Sequence, residues 1–145
     1  MTTFYPNSYA TLTVTPGPIT VGTGGISTSG HIVSTGAAPG MAAGGSAGGS
    51  PPAPVVSTGA SDSAGSATFG TGTVPSAGAM VVVTFASSYG ANTPGISLDP
   101  ANAATGSLVP YISAASGTGF TVSVENAPAA SQANTTYAFS YVVIG

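Results

Sequence analysis

Apolar and polar residues alternate in short runs along most of this chain, and turns rich in proline and glycine separate the runs. Alternation with a period of two is typical of β-strands, in which successive side chains point to opposite faces. From about residue 55 the runs recur roughly every 8–12 residues, which is the spacing of an all-β sandwich or barrel. The predicted strands are residues 66–74, 80–85, 95–98, 108–113, 119–124 and 136–144. No segment keeps a helical period, and residues 127–133 could form one turn at most.

Two of these strands indicate where the core lies. Large apolar residues occupy alternate positions in the strand at 119–124, and aromatic residues do the same in the strand at 136–144. The side chains expected to face the core are those of Phe120, Val122, Val124, Tyr137, Phe139, Tyr141 and Val143. The last strand is apolar on both faces near its end, which predicts a central position in its sheet.

The first part of the chain, residues 1–35, predicts an extended arm of short strands. Each short run offers too few apolar side chains to bury a face by itself, because isolated short hairpins are marginal in water. The partner would be either the C-terminal domain or the same segment of neighbouring chains around a symmetry axis. We favour the second arrangement and expect a homotrimer. The residues expected to form the core of the arm are Leu12, Val14, Ile19, Val21, Ile26, Ile32 and Val33.

Residues 36–58 read as a connector, because glycine, alanine and serine dominate them and prolines follow at positions 51, 52 and 54. By composition this segment is a flexible linker joined to a stiffer spacer. The sequence therefore predicts three parts: the arm at 1–35, the connector at 36–58 and a C-terminal antiparallel β-sandwich, jelly-roll-like, at 59–145.

The near absence of charged residues indicates the kind of surroundings in which this small β protein functions. The chain has no lysine or arginine and only three carboxylates, so 2% of its residues are charged, against roughly a quarter in a typical soluble domain. A surface of hydroxyls, amides and backbone suits a protein that is built into a large assembly. A chain without cations cannot neutralise phosphates, which argues against binding to nucleic acid and to anionic membrane surfaces.

Several other classes are disfavoured by simple absences in the sequence. There is no cysteine, hence no disulfide framework. No apolar run reaches the 18 or more residues expected of a membrane span. The first ten residues have neither the basic start nor the apolar core of a signal peptide, so we expect synthesis in a cytoplasm.

Few residues could carry chemistry. His31 is the only imidazole, too few for a zinc site unless a trimer axis brings three copies together. Asp62, Asp99 and Glu125 are the only carboxylates. Asp99 and Glu125 could formally serve a glycosidase, but Asp99 precedes Pro100 in an expected turn, where aspartate usually bonds its own backbone. Asp62 is expected in another turn. Calcium binding by Asp62 or Asp99 is the stronger alternative, although the spacing of a calcium loop is missing.

Nucleophilic catalysis has no support in the sequence. No Gly-x-Ser-x-Gly motif occurs, and a catalytic triad would need His31 from the arm. Glycine-rich segments are followed by no lysine, so a phosphate-binding loop is not indicated. We therefore predict that the protein is not an enzyme and needs no cofactor or metal.

Some of the tyrosines are candidate ligand-binding residues. Tyrosine combines an apolar ring with a polar end and so suits contact with sugars. Tyr137 and Tyr141 are expected in the core, whereas Tyr89 and Tyr111 lie nearer to loops. These two are the candidate ligand-binding residues.

The strand sequences resemble a family. The runs GTGT (70–73), VVTF (82–85), YIS (111–113), GFTV (119–122) and FSYVVIG (139–145) resemble, in order, the strands of a small β-sandwich module in structural proteins of tailed bacteriophages. The run LTVTPGPITVGTGGISTSG (12–30) is similar to strand repeats of phage fibre stalks, which trimerise. Together these stretches cover most of the chain, and their motifs concern packing and turns.

The resemblance implies a non-enzymatic protein on the exterior of a virion. The chain lacks a long stalk, which favours a capsid decoration or short head-fibre protein over a tail fibre. The expected partners are other copies of the chain and major capsid or tail proteins. The alternative is a tail-fibre or tip module that binds a receptor or host-surface glycan, in which Tyr89 and Tyr111 would be the contact residues.

Overall fold

The computed structural model describes residues 33–145. Of the residues predicted to form the core of the arm, only Val33 is within the described part, and its side chain is 74% exposed. Leu12, Val14, Ile19, Val21, Ile26, Ile32 and the lone His31 lie outside the described residues.

Eight strands and one short helix make up the described chain. The strands are β1 (Gly40–Ala43), β2 (Val55–Val56), β3 (Ala64–Phe69), β4 (Gly78–Thr84), β5 (Gly95–Pro100), β6 (Pro110–Ser116), β7 (Gly119–Val124) and β8 (Tyr137–Ile144), and the helix is α1 (Ala103–Gly106). They form two four-stranded sheets, a first sheet in the order β1-β4-β7-β6 and a second in the order β2-β3-β8-β5. All pairings are antiparallel. The predicted all-β, sandwich-like fold is thereby confirmed, while its jelly-roll-like form stays a prediction.

The core lies between the sheets, where the sequence pattern placed it. Every residue predicted to face inward from β7 and β8 is buried. Aromatic rings from both sheets meet there, with Phe120 of the first sheet 5.8 Å from Tyr141 of the second between ring centroids. β8 lies between β3 and β5, so the predicted central position of the last strand is confirmed.

The connector predicted at 36–58 is not a connector in the structure. It contributes β1 to the first sheet and β2 to the second, and between them the amide of Gly44 donates to the carbonyl of Met80 at 2.8 Å. A side chain on Gly44 would come within 2.4 Å of the carbonyl oxygen of Ala79. Small residues here allow backbone to lie directly on backbone, so a composition that usually indicates flexibility instead permits close packing.

Two local expectations also differ from the structure. Asp99 and Pro100, predicted in a turn, form the end of β5 opposite Ser140 and Phe139. An edge strand accommodates proline because its outward N–H needs no partner in the sheet. The helix α1 that follows was not predicted, since four residues are too few for a helical period; Asn102 caps it by accepting from the amide of Thr105 at 2.8 Å.

Candidate functional site

Asp62 lies at the centre of a loop cluster at one end of the sandwich. Its Oδ1 accepts from the amide of Ala86 at 2.8 Å, and its Oδ2 accepts from the amide of Ser87 at 2.7 Å. The sequence predicted that Asp62 bonds the backbone of its own turn. In the structure it instead bonds the backbone of a second loop. The paired contact fixes the orientation of the carboxylate and ties the start of the β4–β5 loop to the β2–β3 loop.

The same β4–β5 loop is held at its other end by the turn between β6 and β7. The amide of Tyr89 donates to the carbonyl of Gly117 at 2.7 Å, and the Ser88 hydroxyl donates to the same carbonyl at 3.1 Å. The Tyr89 ring packs edge-to-face on Phe85 with centroids 5.0 Å apart. A side chain on Gly145 would come within 2.6 Å of the Tyr89 ring, so this glycine leaves the room that the ring occupies.

Between these loops lies a cavity of about 250 Å³, which we call the Asp62 pocket. Its lining combines one carboxylate, several hydroxyls and one aromatic ring. The lining residues are Ser34, Gly36, Ala37, Asp62, Ser63, Ser87, Ser88 and Tyr89. None of these lining side chains is cationic, since the chain has no lysine or arginine.

Tyr141 lies behind this cluster, in the core. Its hydroxyl donates to the carbonyl of Ser61 at 2.7 Å. Burial, with a smaller contribution from the negative charge of Asp62, raises the pKa of Tyr141 to about 12. Tyr141 thus stays protonated and supports the residue that precedes Asp62 in the chain.

The structure separates the two tyrosines predicted to bind a ligand. Tyr89 is half-buried and lines the Asp62 pocket. Tyr111 is on β6, is 43% exposed and is not among the residues that line this pocket. The serines beside Asp62 and Tyr89 were not singled out from the sequence, because nothing in the motifs Ser61-Asp62-Ser63 and Ser87-Ser88-Tyr89 indicates that these two loops meet.

The described residues offer no metal centre. Within residues 33–145 no three histidine, cysteine or acidic side chains come together. Asp99 is on the edge strand β5, and Glu125 is exposed directly after β7. In the part of the chain that the structure describes, no helix has the length and apolarity to cross a membrane.

A second feature is the outer face of the first sheet. Val82, Thr121 and Ala114 form one row across β4, β7 and β6, and Thr84, Gly119 and Ser116 form the next. A shallow groove of about 240 Å³ runs over these rows. Every side chain in the two rows is small and uncharged.

One edge strand of that sheet, β6, also lacks charged side chains. β6 is a seven-residue edge strand without a charged side chain, and its last four residues are exposed. The edge strand β5 of the second sheet, by contrast, carries Asp99 and ends in Pro100.

Comparison of the chain with protein-family models, with curated proteins and with solved structures finds no significant match.

Proposed function

We propose that this protein is a structural component of the exterior of a tailed-bacteriophage virion, a capsid decoration or short head-fibre protein that assembles as a homotrimer. The proposal rests on the resemblance of its strand sequences to phage β-sandwich modules. The structural observation that supports an assembly role best is the exposed, uncharged second half of the edge strand β6.

Natural sheets usually protect an edge strand with charges, prolines, bulges or a covering loop, because its free N–H and C=O groups otherwise pair with another chain. β6 begins with Pro110 and has a register irregularity between Ile112 and Ala114. Beyond that point it carries only alanine and serine, all exposed. Such an edge is a hazard for a protein that diffuses alone and an interface for one that assembles.

The second sheet supplies apolar area for the same purpose. Val142 and Ile144 lie on its outer face and are 48% and 74% exposed. Burying such side chains between molecules contributes about 25 cal/mol per Å² of apolar area. The predicted arm would add the side chains of residues 12–33 to these contacts.

The assembly role is tested by placing a charge on the edge of β6. We expect Ala114→Lys to lower the oligomeric state, measured by light scattering after size exclusion, because a lysine on an edge strand opposes pairing with another strand. Ala104→Lys introduces the same charge on the exposed helix α1 and should leave the oligomer unchanged. Equal behaviour of the two variants would contradict a role of this edge.

The location is tested with gold-labelled antibody on particles from the source of the protein. Label over the heads would support the decoration proposal. Label confined to the tail end would favour the alternative, a receptor- or glycan-binding tip. An absence of label on any particle would overturn the virion assignment.

A further inference from the structure

We propose that the Asp62 pocket binds one ring of a neutral saccharide. This goes beyond a structural role and does not depend on where the protein is mounted or on its oligomeric state. Four features of the pocket support this ligand: its acceptor, its aromatic surface, its charge and its size.

The Asp62 carboxylate is a preorganised acceptor. A carboxylate has about four acceptor positions, and two are used by the amides of Ala86 and Ser87. The remaining positions can accept from two neighbouring hydroxyl groups of a sugar. Because the backbone already fixes the side chain, little conformational entropy is lost when a ligand binds.

Tyr89 supplies an apolar surface beside that acceptor. Its ring is fixed by Phe85, by Gly145 and by the bond from its amide to Gly117. A sugar ring presents C–H groups on its faces and hydroxyls around its rim, so it matches an aromatic ring flanked by hydrogen-bonding groups. Ser63 and Ser87, which also line the pocket, add hydroxyls that both donate and accept.

The charge of the pocket selects among ligands. Asp62 repels carboxylates, phosphates and sulfates, and the chain offers no lysine or arginine to balance them. A metal ion would need further charged ligands, which the described residues do not bring together. A purely apolar ligand would leave the carboxylate and hydroxyls without partners, which is costly. A neutral polyol satisfies all of these groups.

The size of the pocket limits the ligand to a small group. Its volume of about 250 Å³ is below the range of about 300–1,000 Å³ that holds drug-sized ligands. We therefore expect one sugar ring to enter, while the rest of a glycan extends into solvent.

The test is binding of the purified full chain to an array of neutral and acidic oligosaccharides, followed by titration of the best neutral one in an NMR experiment. We expect binding to neutral glycans only. Ala37→Tyr should abolish it, because Ala37 is exposed and lines the pocket, so a large side chain there fills the space without removing a native contact. Tyr89→Ala should weaken binding at least tenfold.

The matched control is Ala104→Tyr, the same change on the exposed helix α1, which should bind as the unaltered chain does. Tyr111→Ala tests the other predicted tyrosine and should also leave binding unchanged. The proposal is overturned if no neutral glycan binds, if acidic glycans bind equally well, or if Ala37→Tyr binds normally. Because Ala37 is exposed and is not part of the core, Ala37→Tyr tests the pocket even if Tyr89→Ala unfolds.

Discussion

Tyr141 joins the core to the loops at the end of the sandwich. Its ring packs among Phe120 and Phe139 in the core, and its hydroxyl reaches the carbonyl of Ser61. The apolar alternation of β8 predicted the buried ring. It did not predict the partner of the hydroxyl, because Ser61 is 80 residues away in the chain and is brought there only when β3 pairs with β8.

We expect Tyr141→Phe to lower the free energy of unfolding by about 1–3 kcal/mol at neutral pH, since it leaves a buried carbonyl without its donor. Urea denaturation checks this. Tyr111→Phe, on the exposed side of β6, is the control and should change stability by less than about 0.5 kcal/mol. Equal stability of Tyr141→Phe and the unaltered chain would contradict the role of the hydroxyl.

The raised pKa of Tyr141 also predicts how its contribution depends on pH. The folded chain holds this proton up to about pH 12, whereas the unfolded chain releases it near pH 10. The contribution of Tyr141 is therefore fully present below about pH 10 and is lost as the pH rises toward 12. In denaturation between pH 9 and pH 12 (roughly the range of tyrosine titration), Tyr141→Phe should lose less stability than the unaltered chain. A parallel loss in both would contradict the shift.

Among the elements, the segment before β2 differs most from its sequence-based description. The amide of Gly49 donates to the carbonyl of Thr73 at 2.8 Å, and the amide of Thr73 donates back at 2.9 Å. A side chain on Gly72 would come within 1.9 Å of the Gly49 oxygen. Contact between two backbones is possible here because Gly72 has no side chain. The approximate positions of strands β3 to β8 were predicted, because alternation is a local signal. The pairing of Gly49 with Thr73 was not predicted, because it joins two segments that are distant in the chain.

We expect Gly72→Ala to lower the free energy of unfolding by about 1–3 kcal/mol, the usual cost of adding a methyl group to a closely packed site. The matched control is Gly45→Ala, in the former connector, where an added side chain meets no atom within 4 Å. Its effect should stay within about 0.5 kcal/mol. Thermal unfolding of the two variants checks this. Similar losses would mean that residues 44–50 do not lie against residues 70–74 as described.

At the scale of the whole molecule, charge is the dominant property. Asp62, Asp99 and Glu125 are the only acidic side chains of the chain, and the chain has no lysine or arginine that could pair with them. Contacts between copies would therefore consist of apolar side chains, hydroxyls and backbone. The composition predicts this for any arrangement of the subunits.

The proposed oligomer should accordingly be insensitive to ionic strength. Raising the salt concentration from about 0.01 M to about 1 M shortens the screening length from about 30 Å to about 3 Å and weakens contacts between exposed charges. Light scattering at both concentrations should give the same mass. Dissociation at high salt would show that ionic contacts hold the assembly together.

The sequence by itself determined the strands β3 to β8, the inward faces of β7 and β8 and the scarcity of charge, because these follow from local alternation and from composition. Only the tertiary structure decided that residues 36–58 join both sheets, and that Asp62 accepts from the Ser87 amide and lines one pocket with Tyr89. The first depends on close contact between backbones, whereas a composition rich in glycine, alanine and serine predicts a flexible linker. The second joins two loops, since Asp62 and Ser87 are 25 residues apart in the chain. Their contact depends on the packing of one sheet on the other.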